Sequence, residues 1–329
     1  MKQILPRFPL LRRVLLPAAL LVCSCMAVGQ TAYPNRPIRV VVPFPAGGTS
    51  DQVARLLAPS LTATLHQPIV IENKPGSSGI PGTQLVAQAP ADGYTIGLFP
   101  SGHAINGLLQ KLSYDARRSF APVTLIGSVP LLAVVSAQSP AGSFREFAAR
   151  ARQAPGKLSF KSGGVGGSDH LATELLTRST GLQMLNVPYK GDPPAAVDLV
   201  ANQIDFGMFN ITSVIQLVKA GKLKALGIAS EQRSALLPDV PTLQEQGVTG
   251  YTAGSWHAIF APANTPPDVV QTLNDAINTA IATPEIAAQL RELGITVAGG
   301  PPTRLGLFLD AEIAKWDKVI REAGISVER

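Results

Sequence analysis

Two stretches of the sequence share one pattern: a short strand-like run, a glycine-rich turn and then a helical run. In the first, the apolar residues 38–42 lead into Pro-Phe-Pro-Ala-Gly-Gly-Thr-Ser-Asp at 43–51. In the second, residues 157–161 lead into Ser-Gly-Gly-Val-Gly-Gly-Ser-Asp-His at 162–170. The pattern predicts a buried strand, a tight turn and a helix in both places. Such units are typical of an α/β protein.

Both turns have features that suit an anion. Glycine has no Cβ, so a ligand can approach the backbone closely. The free N–H groups and the positive end of the helix dipole favour a carboxylate or a phosphate. Taken alone, the first turn is more often an ordinary strand-to-helix connection with Thr49 or Ser50 as the N-cap, because many α/β proteins have such turns. Two such turns facing each other would form an anion clamp.

Strand and helix patterns alternate along the chain of 329 residues. The predicted strands are 38–42, 69–72, 94–99, 157–161, 184–187, 204–209, 225–229 and 256–261. The predicted helices are 51–65, 82–89, 144–152, 168–180, 193–201, 211–220, 267–282, 284–293 and 303–322. The alternation favours a parallel sheet with helices on both faces. Pro59 predicts a break or kink near Leu57.

The last three helical patterns have little strand between them, so we expect them to pack back on the first α/β unit. This gives a discontinuous domain 1 of residues 30–130 and 255–329, and a domain 2 of residues 131–254. The chain would cross between the domains near 128–137, where apolar runs flank Gly-Ser-Val-Pro at 127–130, and again near 252–258.

Residues 1–29 have the features of a secretory signal peptide. A basic segment ends at Arg13, an apolar segment follows to Met26, and Ala27-Val28-Gly29 resembles a cleavage site. The apolar segment is too short to span a bilayer, although a retained anchor is an alternative. A second alternative is a lipoprotein, because the sequence around Cys25 is an imperfect lipobox. The mature protein is therefore expected to be exported.

Charge and cysteine content exclude several function classes. The net charge is +6, and four of the positive charges lie before residue 14, which leaves +2 from residue 30 onward. No basic cluster remains there to suggest a nucleic-acid partner. Both cysteines lie in the first 29 residues, so a cleaved chain has no disulfide and no thiolate. No hydrolase, zinc-protease or P-loop motif occurs, and no cofactor or metal is expected.

Seven motifs in order resemble those of the Bug family, the extracytoplasmic solute receptors of tripartite tricarboxylate transporters. They lie at 43–51, 70–76, 91–95, 114–115 with 120–122, 162–166 with 170–171, 187–191 and 238–242. The resemblance implies a two-domain periplasmic binding protein of the Venus-flytrap, type II-like class, with a hinged cleft that closes on a carboxylated solute. It also implies that the two glycine turns, one from each domain, hold the carboxylate.

The predicted ligand-binding residues come mostly from these turns. From the first domain they are Phe44, Ala46, Gly47, Gly48, Thr49, Asp51, Ser101 and His103; from the second, Gly163, Gly166, Gly167, Ser168, His170, Tyr189 and Asn210. Gly47, Gly48 and Thr49 are expected to offer backbone N–H groups. For Asp51, a structural role at the helix start is favoured over ligand contact. Segment 101–104 is either a ligand contact or a solvated loop.

Two positions depart from what is common in the family. Asp169 stands where a small hydroxyl residue is usual, so it is either an N-cap facing away from the ligand or a selectivity element. Asn210 stands where relatives carry aspartate, and its neutral amide would not repel a carboxylate. His170 is either packed structurally or in contact with the ligand. The ligand choice of this chain is therefore expected to depend on these positions, with Ser101, His103 and Tyr189.

The preferred hypothesis is a monomeric periplasmic receptor. It would capture a small carboxylate and deliver it to the membrane permease of a tripartite tricarboxylate-type transporter. One alternative is an exported ligand sensor that acts on a sensor kinase. Another is an exported enzyme that acts on a small organic acid, although no catalytic residues are predicted.

Overall fold

The computed structural model describes residues 33–163, 167–189 and 191–325. The predictions for the signal peptide, Cys25, Gly166 and Lys190 lie outside these residues. The strands are β1 (Ile38–Val42), β2 (Ile69–Asn73), β3 (Thr95–Pro100), β4 (Phe120–Ser136), β5 (Ser159–Ser162), β6 (Leu185–Pro188), β7 (Gly207–Asn210), β8 (Leu223–Ile228), β9 (Gly254–Pro262) and β10 (Thr296–Val297). The helices are α1 (Thr49–Leu65), α2 (Ile80–Ala87), α3 (Gly102–Leu109), α4 (Phe144–Gln153), α5 (Ser168–Thr180), α6 (Asp192–Val200), α7 (Ile211–Lys219), α8 (Pro267–Ala282), α9 (Pro284–Glu292) and α10 (Pro302–Ala323).

The sheets are mixed. β1 pairs in parallel with β2 and β3, and β5 pairs in parallel with β6, as the strand-helix alternation predicts. β9 runs antiparallel to both β3 and β4, and β4 runs antiparallel to β7 and β8. The expectation of a wholly parallel sheet is therefore wrong. We call β1–β3 with α1–α3 the first lobe, and β5–β8 with α4–α7 the second lobe.

One long strand joins the two lobes. The first part of β4 pairs with β9 up to Pro130, which lies opposite Gly254. The second part, from Leu131, pairs with β7 and β8. The Gly-Ser-Val-Pro segment at 127–130, which separates the two apolar runs, does not end the strand. Gly127 and Pro130 are both paired with residues of β9 in the β4–β9 ladder. The domain boundaries themselves stay a prediction, since residues 36–325 form one compact unit.

The C-terminal helix α10 packs on both lobes. Leu305, Leu309 and Ile313 belong to a core cluster with Phe99 and Phe260. One turn further on, Trp316, Val319 and Ile320 belong to the core cluster of the second lobe, with Phe160, Leu171 and Phe206. The predicted packing on the first α/β unit therefore describes only the beginning of this helix.

A buried carboxylate lies at the midpoint of α10. Glu312 accepts the indole N–H of Trp256 at 3.1 Å and that of Trp316 at 3.0 Å, and it pairs with Lys315. Sequence reasoning left Trp256 as either cleft wall or packing, and the structure places it, buried, against this helix. Two indole donors and one ammonium satisfy the carboxylate, which offsets the cost of burying it.

Two local expectations are corrected. The helix does not break near Leu57: α1 continues through Pro59 and ends only at Leu65, because Pro59 is on the exposed face, where water can solvate the backbone carbonyl left without a partner. The segment 101–104 is not a loop, because α3 begins at Gly102 and buries Ala104 and Ile105. In the part of the chain that the structure describes, no helix is long and apolar enough to cross a membrane.

Candidate functional site

The first glycine turn lies between β1 and α1, and a buried carboxylate organises it. Asp51 is 2% exposed and accepts the Gly47 N–H at 2.8 Å, the Arg55 Nε–H at 2.9 Å and the Asn73 Nδ2–H at 3.0 Å. Hydrogen bonding from Arg55 lowers the pKa of Asp51 to about 2, against the opposing effect of burial. The structural role favoured for Asp51 agrees with these contacts.

These bonds change which amides a ligand can use. The N–H of Gly47 donates to Asp51, and that of Gly48 donates to the Pro45 carbonyl at 3.3 Å. The prediction that both glycines offer free N–H groups is therefore corrected. No acceptor among the described residues takes the N–H of Thr49, Ser50 or Asp51, the first residues of α1. The free donors are the helix amides, and the glycines give access to them.

Phe44 and Ala46 lie on the outer part of the same turn. Ala46 and Thr49 are exposed, and Phe44 is half-buried. The Phe44 ring lies so close to Gly79 that a Cβ at Gly79, which has a φ of +86°, would come within 3.1 Å of it. The loop after β2 therefore closes one side of the turn.

Hydroxyl and imidazole groups lie behind the first turn. The Ser50 Oγ is 3.1 Å from His257 Nε2, and the Ser101 Oγ is 3.2 Å from the Ser255 Oγ. Pro100 pairs with His257 across β3 and β9, which brings predicted site residue Ser101 next to this cluster. The His257 Nδ1 is buried with no partner among the described residues. Burial lowers the His257 pKa to about 4, so the ring is neutral at pH 7.

His103 occupies a different environment. Its Nε2 lies 3.0 Å from the Ala116 carbonyl oxygen, and its ring lies 4.7–5.0 Å from the rings of Phe99, Phe120 and Phe260. Burial lowers its pKa to about 4. These contacts give His103 a packed position in the core, so neither the solvated loop nor an exposed ligand contact describes it here.

The second glycine turn is built on the same plan. Asp169, in the first turn of α5, accepts the Gly163 N–H at 2.5 Å and pairs with the buried Lys161 at 2.8 Å. Asp169 is therefore not the N-cap, which is Gly167 with an extended backbone (φ −63°, ψ 155°). The carboxylate that departs from the family pattern faces a lysine, and the Gly163 N–H is occupied.

The remaining predicted residues of the second lobe have partners within it. Asn210 donates from its backbone N and its Nδ2 to Asp192 Oδ2, at 3.2 and 3.3 Å. The Tyr189 hydroxyl donates to Asp198 Oδ2 at 2.8 Å, and burial together with that carboxylate raises its pKa to about 12. His170 is buried, with its ring nearly parallel to that of Phe160. Ser168 is half-buried at the start of α5.

Sequence reasoning missed five residues that organise the two turns: Arg55, Asn73, Lys161, Asp192 and His257. A signal existed for two of them. Asp51 and Arg55 have the i, i+4 spacing that pairs charges along a helix, and Lys161 is a charged residue in a short strand, two residues before the glycines. Asn73, Asp192 and His257 reach the site from segments distant in the sequence, and only the fold brings them there. Among the described residues, no group of three metal-ligating side chains could hold a metal ion.

The two buried histidines predict a loss of stability in acid. Because His103 and His257 titrate near 4 when folded and near 6.5 when unfolded, the unfolded chain binds more protons between these values. Their contribution is complete above pH 6.5 and decreases as the pH falls to 4, by roughly 3 kcal/mol per histidine. The contribution of Asp51 is lost only below pH 3.8, its unfolded pKa.

Thermal unfolding followed between pH 7.5 and 4.5 checks this expectation. His103→Leu and His257→Leu should each flatten the pH dependence. The exposed His66, at the left-handed C-cap of α1, provides a matched control as His66→Asn, which should leave the slope unchanged. Parallel curves for the wild type and the two buried variants would contradict the assignment.

Comparisons with known proteins identify the family. The family model described as "Tripartite tricarboxylate transporter family receptor" matches residues 53–325. Protein BugT of Bordetella pertussis is 34% identical over 304 residues, which cover 92% of this chain and 93% of BugT.

Solved structures of similar proteins point to the same family. MatC of Rhodopseudomonas palustris with bound malate is 34% identical, with a TM-score of 0.71 over 88% of this chain and 100% of MatC. An R. palustris protein solved with adipate is 35% identical, with a TM-score of 0.75 over 89% of this chain and 99% of that protein. The family and its structural neighbours, which include the periplasmic binding protein BugD and a TctC solute-binding protein from Polaromonas, are solute-binding receptors and not enzymes, and the chain shares their periplasmic binding protein fold. The chain belongs to the Bug family of tripartite tricarboxylate transporter receptors, the periplasmic solute-binding proteins that its motifs resemble.

Proposed function

We propose that this receptor captures a small carboxylate between its two lobes, with the helix starts of α1 and α5 facing the anion from opposite sides. In this proposal the first lobe belongs to a domain of residues 30–130 with 255–329, and the second lobe to a domain of residues 131–254. After export directed by residues 1–29, the closed form delivers the solute to a tripartite tricarboxylate-type permease. The ligand residues are those predicted from the two turns, with the modification that the first-lobe donors are the amides of Thr49 to Asp51.

One observation carries this proposal: both turns have the same construction. In each, an aspartate in the first helical turn takes the N–H of a loop glycine and is paired with a cation. The pairing neutralises the aspartate, which would otherwise repel an anion. The amides at the start of the helix lack intrahelical acceptors, and with the helix dipole they suit a carboxylate oxygen.

Malate and adipate, which occupy two structural relatives, are the first probes. The purified protein is titrated by thermal shift and calorimetry with both acids, then with other mono-, di- and tricarboxylates, amino acids and aromatic acids. We expect at least one acid to raise the melting temperature, by the linkage between binding and folding. The diamide of the same compound is the matched control and should not do so.

Two further readouts complete the test. The acid should be recovered chemically unchanged, as expected for a receptor. Cells lacking the protein should lose uptake of that acid through the permease. Absence of any stabilising carboxylate across the panel would contradict the proposal. Binding with normal uptake in the deletion strain would contradict delivery to the permease and favour a sensor.

A further inference from the structure

Lys161 is unusual among the cations of this protein. It is the one lysine or arginine in the described residues that is fully buried, with 1% of its side chain exposed. Its ammonium lies 4.4 Å from the centre of the Phe209 ring, and its stem packs where a Cβ at Gly207 would come within 3.0 Å. A buried ammonium is costly unless it is paired and hydrogen-bonded. Its pairing therefore deserves a functional explanation.

Two aspartates from different helices pair with this ammonium. Asp169, in the first turn of α5, lies 2.8 Å from the Lys161 Nζ; Asp192, the first residue of α6, lies 2.5 Å from it. Each carboxylate also accepts a backbone N–H from a residue outside its own helix. Asp169 accepts from Gly163 at the end of β5, and Asp192 accepts from Asn210 at the end of β7. The chain of bonds runs from Gly163 through Asp169, Lys161 and Asp192 to Asn210.

This chain of bonds joins three strand-to-helix connections at one edge of the second lobe. β5 is parallel to β6, and Phe160 of β5 forms a parallel bridge with Phe206, next to β7. The carboxyl ends of the three strands therefore lie side by side, with α5, α6 and α7 following them. In open α/β sheets this edge is where ligands bind. The lysine lies under that edge and contacts no solvent itself.

In the first lobe, the aspartate of the glycine turn has a different cation as its partner. Asp51 pairs with Arg55 of its own helix, and the Arg55 side chain is 56% exposed. Besides α1, the only strand end that Asp51 reaches by these bonds is that of β2, through Asn73. In the second lobe one buried cation serves all three connections, so its removal should release them together.

We propose that Lys161 is the positioning residue of the second lobe's half of the binding site. It aligns the starts of α5 and α6 and the end of β7 before a solute arrives, so that binding does not have to order them. This proposal rests on the proposed carboxylate-binding function. Lys161 touches no ligand in it; its effect on affinity is exerted through Asp169, Asp192 and the backbone groups that they hold.

The variants must separate positioning from stability. Lys161→Met alone leaves two buried carboxylates without a cation and will destabilise the fold. The triple variant Lys161→Met/Asp169→Asn/Asp192→Asn removes all three charges with side chains of similar size, so it should melt close to the wild type. Arg55→Met is the matched control, since it removes the cation of the other lobe.

Amide exchange measured by NMR without ligand is the first readout. In the triple variant the amides of Gly163 and Asn210, 47 positions apart, should both exchange at least tenfold faster, while that of Gly47 is unchanged. Arg55→Met should affect Gly47 and neither of the other two. Unchanged exchange at Gly163 and Asn210, or an increase spread evenly over the second lobe, would overturn the proposal.

Calorimetric titration with malate and adipate is the second readout. For whichever acid the wild type binds, the triple variant should bind at least tenfold more weakly at an unchanged melting temperature. Equal affinity in the two proteins would overturn the positioning role. Failure of the wild type to bind either acid would count against the proposed function for these probes, and the exchange measurement would still decide whether Lys161 holds the three connections.

Discussion

Gly254→Ala is expected to lower the melting temperature by about 6 °C, from a loss of about 4 kcal/mol in unfolding free energy. A Cβ on Gly254 would lie 2.3 Å from the Val129 carbonyl oxygen and 3.0 Å from the Pro130 Cα. Both are backbone atoms of β4, at the place where this strand passes from one lobe to the other. They cannot move aside without breaking the β4–β9 ladder, so the substitution opens the connection between the lobes.

Differential scanning calorimetry of the variant measures this loss. Gly306→Ala is the matched control, because it lies within α10 and its added Cβ would be 3.8 Å from the nearest atom, Pro122 Cγ. Alanine is also the better helix former, by about 1 kcal/mol, so this control should not be destabilised. Equal melting temperatures for Gly254→Ala and the wild type would show that the ladder can shift, contrary to the geometry.

Gly48→Val and Gly167→Val are each expected to weaken carboxylate binding at least a hundredfold while the melt stays cooperative. Both glycines are the N-caps of the helices proposed to face the anion, and both have extended backbones that valine can adopt. Gly48 has one close neighbour, the Pro45 carbonyl oxygen at 3.3 Å from an added Cβ, which must shift by a few tenths of an ångström. The isopropyl group would occupy the space in front of the first helix amides.

Calorimetric titration with the acid that stabilises the wild type gives the affinity of each variant. Gly142→Val provides the control: Gly142 is exposed and lies one residue before Ser143, the N-cap of α4, outside the two turns. It should bind as the wild type does. Normal binding by either Gly48→Val or Gly167→Val would show that the two turns do not form a clamp.

Sequence patterns predicted the local structure of this protein well. The strand Ile38–Val42 and the helices Ser168–Thr180 and Pro267–Ala282 have the predicted bounds, because their apolar spacing and their capping signals lie within the segments themselves. The helix over 102–109 was missed because glycine and serine at its start suggested a loop. The continuity of β4 was missed because the pairing with β9, which holds Gly127 and Pro130 in the strand, connects residues far apart in the sequence.

The same distinction applies to the site. The glycine turns themselves are continuous in sequence and were found. The side chains that hold the turns in place from elsewhere in the chain could not be found in this way, since Lys161 and Asp192 are 31 positions apart and Ser50 and His257 are 207 apart. The donor role predicted for Gly47 and Gly48 passes to the helix amides for a local reason, because Asp51 and the Pro45 carbonyl accept the two glycine N–H groups. The apparent conflict between Asp169 and an anion site also disappears once its buried lysine is known.

The C-terminal helix α10 has a consequence for how the protein unfolds. Its residues complete the apolar cores of both lobes, and Glu312 at its midpoint is bonded to indoles on either side of the junction. Detachment of this single helix would therefore expose both cores to water at once. We therefore expect the two lobes to unfold in one cooperative transition, and cleavage within α10 to destabilise both of them.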